Sequence, residues 1–112
     1  MMTSSQLDRL LKLNRKPVLG DGAMGTMLHA RGAGFEQCFD ALNLTQPTWV
    51  TEIHQAYLLA GAQVIQTNTF GANRYKLSAH GLEDQLAAIN RAGVELVQQV
   101  IRAASKQVWI AG

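Results

Sequence analysis

A carboxylate set among glycines is the first place where this chain could do chemistry. Gly20-Asp21-Gly22-Ala23-Met24-Gly25 follows the apolar pair Val18-Leu19. At the C-terminal end of a strand, Asp21 could pair with an ammonium group. The backbone N–H groups around Gly22, Ala23 and Met24 could then donate to a carboxylate, as backbone nests do for anions. The two together suit a zwitterionic amino acid. A second polar group lies further on, where the run Ala62-Gln63-Val64-Ile65 ends in Gln66-Thr67-Asn68-Thr69. If that run is a barrel strand, Thr67 and Asn68 sit on the rim where barrel chemistry is found. Plainer roles stay open for both groups: Asp21 as a turn cap, and Thr67 and Asn68 as caps of the sheet.

The glycine spacing Gly20-x-Gly22-x-x-Gly25 also matches a dinucleotide-binding fingerprint, so a nucleotide-binding α/β domain is an alternative. Three features oppose it. Asp21 lies inside the loop, where it would repel a pyrophosphate. The next strand ends in Gln66-Thr67-Asn68-Thr69 and not in a ribose-binding acid. That strand also arrives later than a unit of roughly 30 residues allows.

The elements that must hold these residues follow from periodicity and punctuation. Ser5-Gln6-Leu7-Asp8 has the form of a capping box, and Leu7, Leu10 and Leu11 then share a helical face up to the break at Pro17. Val18-Leu19 predicts a brief buried strand. Residues 26–46, with Gly32, Gly34, Asn43 and Gln46, read as a long connection with room for one helical turn. From Pro47, the spacing of Val50, Ile53, Tyr57 and Ala60 predicts a helix closed by Gly61. Residues 62–70 predict a buried strand. A short helix over Asn73–His80 ends at Gly81, and Leu82, Leu86, Ile89, Gly93, Leu96, Val100 and Ala104 mark a long second one. Val108-Trp109-Ile110-Ala111-Gly112 begins a third strand. This alternation predicts consecutive βαβ units with a parallel sheet. Such a sheet is normally buried on both faces, so the fold expected is the N-terminal portion, about three strands, of a larger α/β domain that is truncated here. A non-catalytic α/β domain that associates through its third strand is a further alternative.

Composition excludes several classes. The 112 residues are 47% hydrophobic and 16% charged, which argues for a folded core and against disorder. Ten basic and eight acidic side chains leave a formal charge of +2, with no run of one sign to attract nucleic acid or an anionic membrane. No apolar stretch approaches the roughly 20 residues needed to span a bilayer, and Met1–Lys16 lacks the apolar region of a secretory signal. A cytoplasmic location is expected. The single cysteine, Cys38, can form neither an intramolecular disulfide nor a zinc site alone.

Two long motifs carry a family resemblance. Asp21-Gly22-Ala23-Met24-Gly25-Thr26-Met27-Leu28 is followed by Ala60-Gly61-Ala62-x-Val64-Ile65-x-Thr67-Asn68-Thr69-Phe70-Gly71-Ala72-Asn73-Arg74. Between them lie Cys38-x-Asp40-x-Leu42-Asn43-Leu44 and Ile53-His54-Gln55-Ala56-Tyr57. From about Pro17 onward the chain resembles the N-terminal part of the homocysteine S-methyltransferase family. It is most similar to the branch preceding a methylenetetrahydrofolate reductase module and to the N-terminal module of cobalamin-dependent methionine synthases.

The resemblance implies that residues 1–112 are the N-terminal part of a homocysteine-binding (β/α)8 TIM barrel. There a zinc-bound homocysteine thiolate takes a methyl group and becomes methionine, metal coordination serving to deprotonate the thiol. By position, Asp21 would hold the homocysteine ammonium and the Gly22–Met24 backbone its carboxylate, with Thr67 and Asn68 lining the pocket. The zinc ligands implied by the family are three cysteines in regions this chain does not include. The partners implied are homocysteine, the remainder of the barrel and a methyl donor. That donor is left open among methylated folate, cobalamin, S-adenosylmethionine and S-methylmethionine. No catalytic residue is assigned, and this segment alone is expected to be inactive. Ala23 stands where the family commonly has a second glycine.

Among the remaining residues, His54 is expected to make a structural hydrogen bond within its helix. Trp49 and Tyr57 are expected to pack, and Arg74 and Lys76 to be solvated.

Overall fold

The computed structural model describes residues 3–14 and 17–112. Helix α1 spans Ser4–Asn14. Its capping box is built two residues earlier than Ser5 and Asp8 suggest. The Gln6 N–H donates to Thr3 Oγ1 at 3.1 Å, and the Thr3 N–H donates back to Gln6 Oε1 at 2.8 Å. Thr3 and Gln6 fit the reciprocal motif better than Ser5 and Asp8, because the longer glutamine side chain reaches back to the cap N–H. Leu7 and Leu11 are 38% and 44% exposed. The side chain of Leu10, the third member of that face, lies outside the described residues.

The expected first strand is only a single parallel bridge, Gly20 to Val64. The Leu19 carbonyl accepts from the N–H groups of Gln63 and Val64, but the Leu19 side chain is 53% exposed and not buried. Strand β1 is Val64–Gln66 and strand β2 is Trp109–Ala111. They pair in parallel, Val64 with Trp109, Ile65 with Ile110 and Gln66 with Ala111. The Leu19–Asp21 segment therefore flanks β1 on one side and β2 flanks it on the other, all running the same way.

The long connection holds two short helices, α2 (Gly25–Ala30) and α3 (Leu42–Thr45), where one turn was expected. Helix α4 runs Pro47–Leu59 with proline in its first turn, where the missing N–H costs nothing. Gly61, at φ +103°, supplies the left-handed residue just beyond its end. Helix α5 is Arg74–Ser78, capped by Asn73 Oδ1 accepting from the Lys76 N–H at 2.9 Å. A 3-10 turn at Glu83–Gln85 leads into α6, Leu86–Ala104.

Helix α6 joins the core together. Its Leu96 belongs to a cluster with Leu28, Ala33, Leu42, Val50 and Ile53, and its Val97 and Val100 to a second with Leu58, Ala62 and Ile65. Its Ile89 meets Ala72 and Leu77 in a third. Trp49 and Tyr57 pack against the first cluster, as their helical spacing suggests. Gly93 lets α6 approach the end of β1: a Cβ there would lie 2.7 Å from Thr69 Cγ2 and 3.1 Å from Asn43 Nδ2. A glycine inside a helix costs about 1 kcal/mol relative to alanine. Here the lost methyl makes room for the polar residues that follow β1.

Candidate functional site

The ladder between the first segment and β1 ends in a side chain. The Asp21 N–H donates to the Val64 carbonyl at 3.0 Å, continuing the parallel pairing. One step further the acceptor is Asp21 Oδ2, which takes the Gln66 N–H at 3.1 Å. The carboxylate stands where a backbone carbonyl would continue the ladder, so the main chain is released at Gly22. This substitution is why the expected strand shrinks to a bridge. Burial pushes the Asp21 carboxyl above its ordinary range, while the N–H groups of Gln66 and of Asp21 itself pull it back.

The released turn is held by aromatic rings. The Tyr57 hydroxyl donates to the Ala23 carbonyl at 2.7 Å, and a Cβ on Gly22 would lie 2.8 Å from that hydroxyl oxygen. A Cβ on Gly25 would lie 3.2 Å from the Phe39 ring. Both glycines thus make room for protein side chains, not for a phosphate, which removes the main support for the dinucleotide reading. The N–H groups of Gly22, Ala23 and Met24 have no hydrogen-bond partner among the described residues.

Beside this turn is a cleft of about 460 Å³. All six residues expected at a site line it: Asp21, Gly22, Ala23, Met24, Thr67 and Asn68. Thr67 is buried, its hydroxyl 2.7 Å from that of Thr69. Asn68 is more committed than a simple lining residue. Its Nδ2 donates to the Phe39 carbonyl and to Asn43 Oδ1, both at 3.0 Å. Asn43 Nδ2 in turn donates to the carbonyls of Asn68 at 2.7 Å and Ile89 at 3.2 Å. The pair ties the end of β1 to α3 and α6.

The sequence reading did not single out Asp40, Phe70 or Phe35, which also line the cleft. Asp40 is buried, and burial raises its carboxyl above the ordinary range against the pull of the Gly71 N–H, its own N–H, Lys76 and His80. Phe35 is exposed and stacks on His29 with ring centroids 3.8 Å apart. Arg74 and Lys76 are exposed as expected, and Lys76 Nζ lies 4.5 Å from the centroid of the Phe70 ring. The quoted motif Cys38-x-Asp40-x-Leu42-Asn43 was the signal that could have found Asp40.

His54 differs from expectation. It is fully buried on α4, but neither ring nitrogen has a hydrogen-bond partner among the described residues, and burial lowers its pKa to about 4. Cys38 lines the cleft as a free thiol. No group of three His, Cys, Asp or Glu side chains among the described residues is placed to hold a metal ion. No helix among them is long and apolar enough to cross a membrane.

Parallel strands whose C-terminal ends open on a cleft define this as a segment of a mixed α/β domain. The family model for homocysteine S-methyltransferase matches residues 18–112, and the chain belongs to that family. It is 35% identical to a methionine synthase of Mycobacterium tuberculosis, over 83% of this chain and 8% of the relative. A methionine synthase of Mycobacterium leprae is 34% identical over the same shares. Among solved structures, it superposes on the metallated form of the homocysteine methyltransferase MmuM from Escherichia coli with a TM-score of 0.77. That match has 30% identity and covers 89% of this chain and 38% of that one. The oxidized form gives a TM-score of 0.74 at 29% identity, covering 91% and 39%. The chain therefore spans less than a tenth of these curated relatives and about two fifths of the solved structures.

Proposed function

We propose that residues 1–112 form the N-terminal part of a homocysteine-binding (β/α)8 barrel, in a protein that transfers a methyl group to homocysteine to give methionine. The observation that carries this reading is the pairing of one carboxylate with three free N–H groups on a single turn, Asp21 beside Gly22, Ala23 and Met24. An α-amino acid offers the matching charges. Its ammonium pairs with Asp21 Oδ1, since Oδ2 is committed to Gln66. Its carboxylate accepts from the N–H groups of the turn, a nest that the Tyr57 contact holds in shape before any ligand arrives. Thr67 and Asn68 line the same cleft and limit how the side chain is oriented.

In the reaction, the homocysteine sulfur forms a bond to the methyl carbon as the donor–methyl bond breaks, the electron pair leaving with the donor. Bound zinc would supply the chemistry of keeping the sulfur deprotonated, and no described residue of this chain is assigned to hold it. This chain's own task is to bind and orient the amino acid. The segment by itself is expected to form no methionine.

The test is to supply the full-length protein with homocysteine and, in parallel, methylated folate, methylcobalamin, S-adenosylmethionine or S-methylmethionine, and to detect methionine by mass spectrometry. Methionine from at least one donor is expected. Failure with every donor, together with no saturable homocysteine binding by calorimetry, would overturn the reading.

A further inference from the structure

Asp40 is 8% exposed, lines the cleft, and is the one buried carboxylate among the described residues. Its Oδ1 accepts the Gly71 N–H at 3.0 Å. The fit is close, since a Cβ on Gly71 would lie 2.5 Å from Asp40 Oδ2. Three residues earlier, Asn68 donates to the Phe39 carbonyl at 3.0 Å. Neighbouring positions 39 and 40 therefore hold the segment after β1 at two points, residues 68 and 71.

Between those points the chain turns tightly. The Thr69 N–H donates to the Thr67 carbonyl at 2.9 Å and the Ala72 N–H to the Thr69 carbonyl at 3.1 Å. The turn carries Phe70, a residue that is 83% exposed yet lines the cleft, its ring beneath the Lys76 ammonium. Among the described residues, Phe70 belongs to none of the three buried apolar clusters. Its position depends on the backbone of residues 68–71, and that backbone depends on Asp40 and Asn68.

We propose that Asp40 is a positioning residue for the substrate cleft: by accepting the Gly71 N–H it fixes the turn after β1, and with it the wall formed by Thr67, Asn68 and Phe70. The proposal rests on the reading of this cleft as the homocysteine site. It assigns Asp40 no contact with the substrate. A misplacement of about 1 Å in a positioning group can cost as much as about 100-fold in rate or affinity, so the effect is measurable without loss of the fold.

The experiment uses the full-length protein and three variants, Asp40→Ala, Asp40→Asn and Gly71→Ala, with steady-state kinetics in homocysteine and a thermal melt for each. Asp40→Ala removes the acceptor and is expected to raise the homocysteine KM about tenfold or more while kcat stays within about threefold. Asp40→Asn keeps an oxygen in place and is expected to restore a KM within about threefold of the starting protein. Gly71→Ala displaces the same contact from the other side and is expected to reproduce the KM rise, which keeps the test decisive if Asp40→Ala does not fold. An unchanged KM in Gly71→Ala and in any folded Asp40→Ala protein overturns the proposal, as does an Asp40→Asn protein impaired as severely as Asp40→Ala. A starting protein that neither binds nor methylates homocysteine removes the reading of the cleft itself. An active starting protein with an unaffected Gly71→Ala variant removes only the role of Asp40.

Discussion

Tyr57 of α4 and Gly22 of the first turn are made for each other. The tyrosine hydroxyl bonds to the next residue's carbonyl at 2.7 Å, and its ring fills the space a side chain at position 22 would need. One contact across 34 positions of sequence thus fixes both the shape of the turn and the direction of its free N–H groups. Gly22→Ala is expected to destabilise the chain by about 1–3 kcal/mol, the usual cost of overpacking. Tyr57→Phe, which removes only the hydrogen bond, is expected to cost about 0.5–1.5 kcal/mol. Urea unfolding of the single variants, of Tyr57→Ala and of the Gly22→Ala/Tyr57→Ala pair checks the relationship. With the ring gone, the added methyl should cost little; an equal penalty in both backgrounds would show that the two residues are not coupled.

Asp21 is a case where binding and stability pull in opposite directions. Its carboxylate is partly buried, and burial is the larger influence on it, so the folded chain disfavours the ionised form. Asp21→Asn keeps an oxygen for the Gln66 N–H and removes the charge. The variant is expected to be at least as stable as the parent at neutral pH but to bind homocysteine about tenfold or more weakly, as an ionic contact becomes neutral. The pH dependence has a definite sign. A carboxyl with a raised folded pKa takes up its proton early, so homocysteine binding should weaken on acidification at a pH above 3.8, while the same protonation relieves strain on the fold. Calorimetric titrations of both proteins across that range check this, and undiminished affinity in Asp21→Asn would return the residue to turn capping.

The sequence made some of this legible and hid the rest for physical reasons. Periodicity located α4 and α6 because each has an apolar face against the core, and Pro47, Gly61 and Gly81 marked ends that depend on backbone geometry alone. Asp21 stood out because glycines flank it, and Thr67 and Asn68 because they end an apolar run. The segment 26–46 has no comparable pattern, since Asn43 and Asp40 act through hydrogen bonds to residues 25 or more positions away. Local spacing does not encode such partners. Val18-Leu19 looked like a strand because its residue types favour one, but the Asp21 side chain takes over the next ladder position and ends the pairing. His54 looked like a hydrogen-bonding helix residue, and only its burial reveals two nitrogens without partners.

That burial makes His54 a source of acid sensitivity. Its imidazole is neutral in the folded chain, with a pKa lowered from 6.5 to about 4 by desolvation. The unfolded chain takes up a proton near 6.5, whereas the folded chain resists until about 4, so the unfolded state binds more protons between those values. Stability from this group is full above 6.5 and falls as the pH drops through the window, by about 3 kcal/mol at one pKa unit per 1.36 kcal/mol. Asp21 and Asp40, with raised pKa values, act in the opposite sense on acidification, so the wild-type slope is a sum. The difference between the parent and His54→Leu isolates the histidine. His54→Leu should flatten the slope between pH 6.5 and 4, and at pH 7 it should be no less stable, since two unpaired buried nitrogens are exchanged for an apolar side chain. Urea unfolding of both proteins at several pH values checks the slope, and NMR titration of the His54 ring checks its cause. A ring that titrates near 6.5 in the folded chain, or identical slopes in the two proteins, would rule this account out.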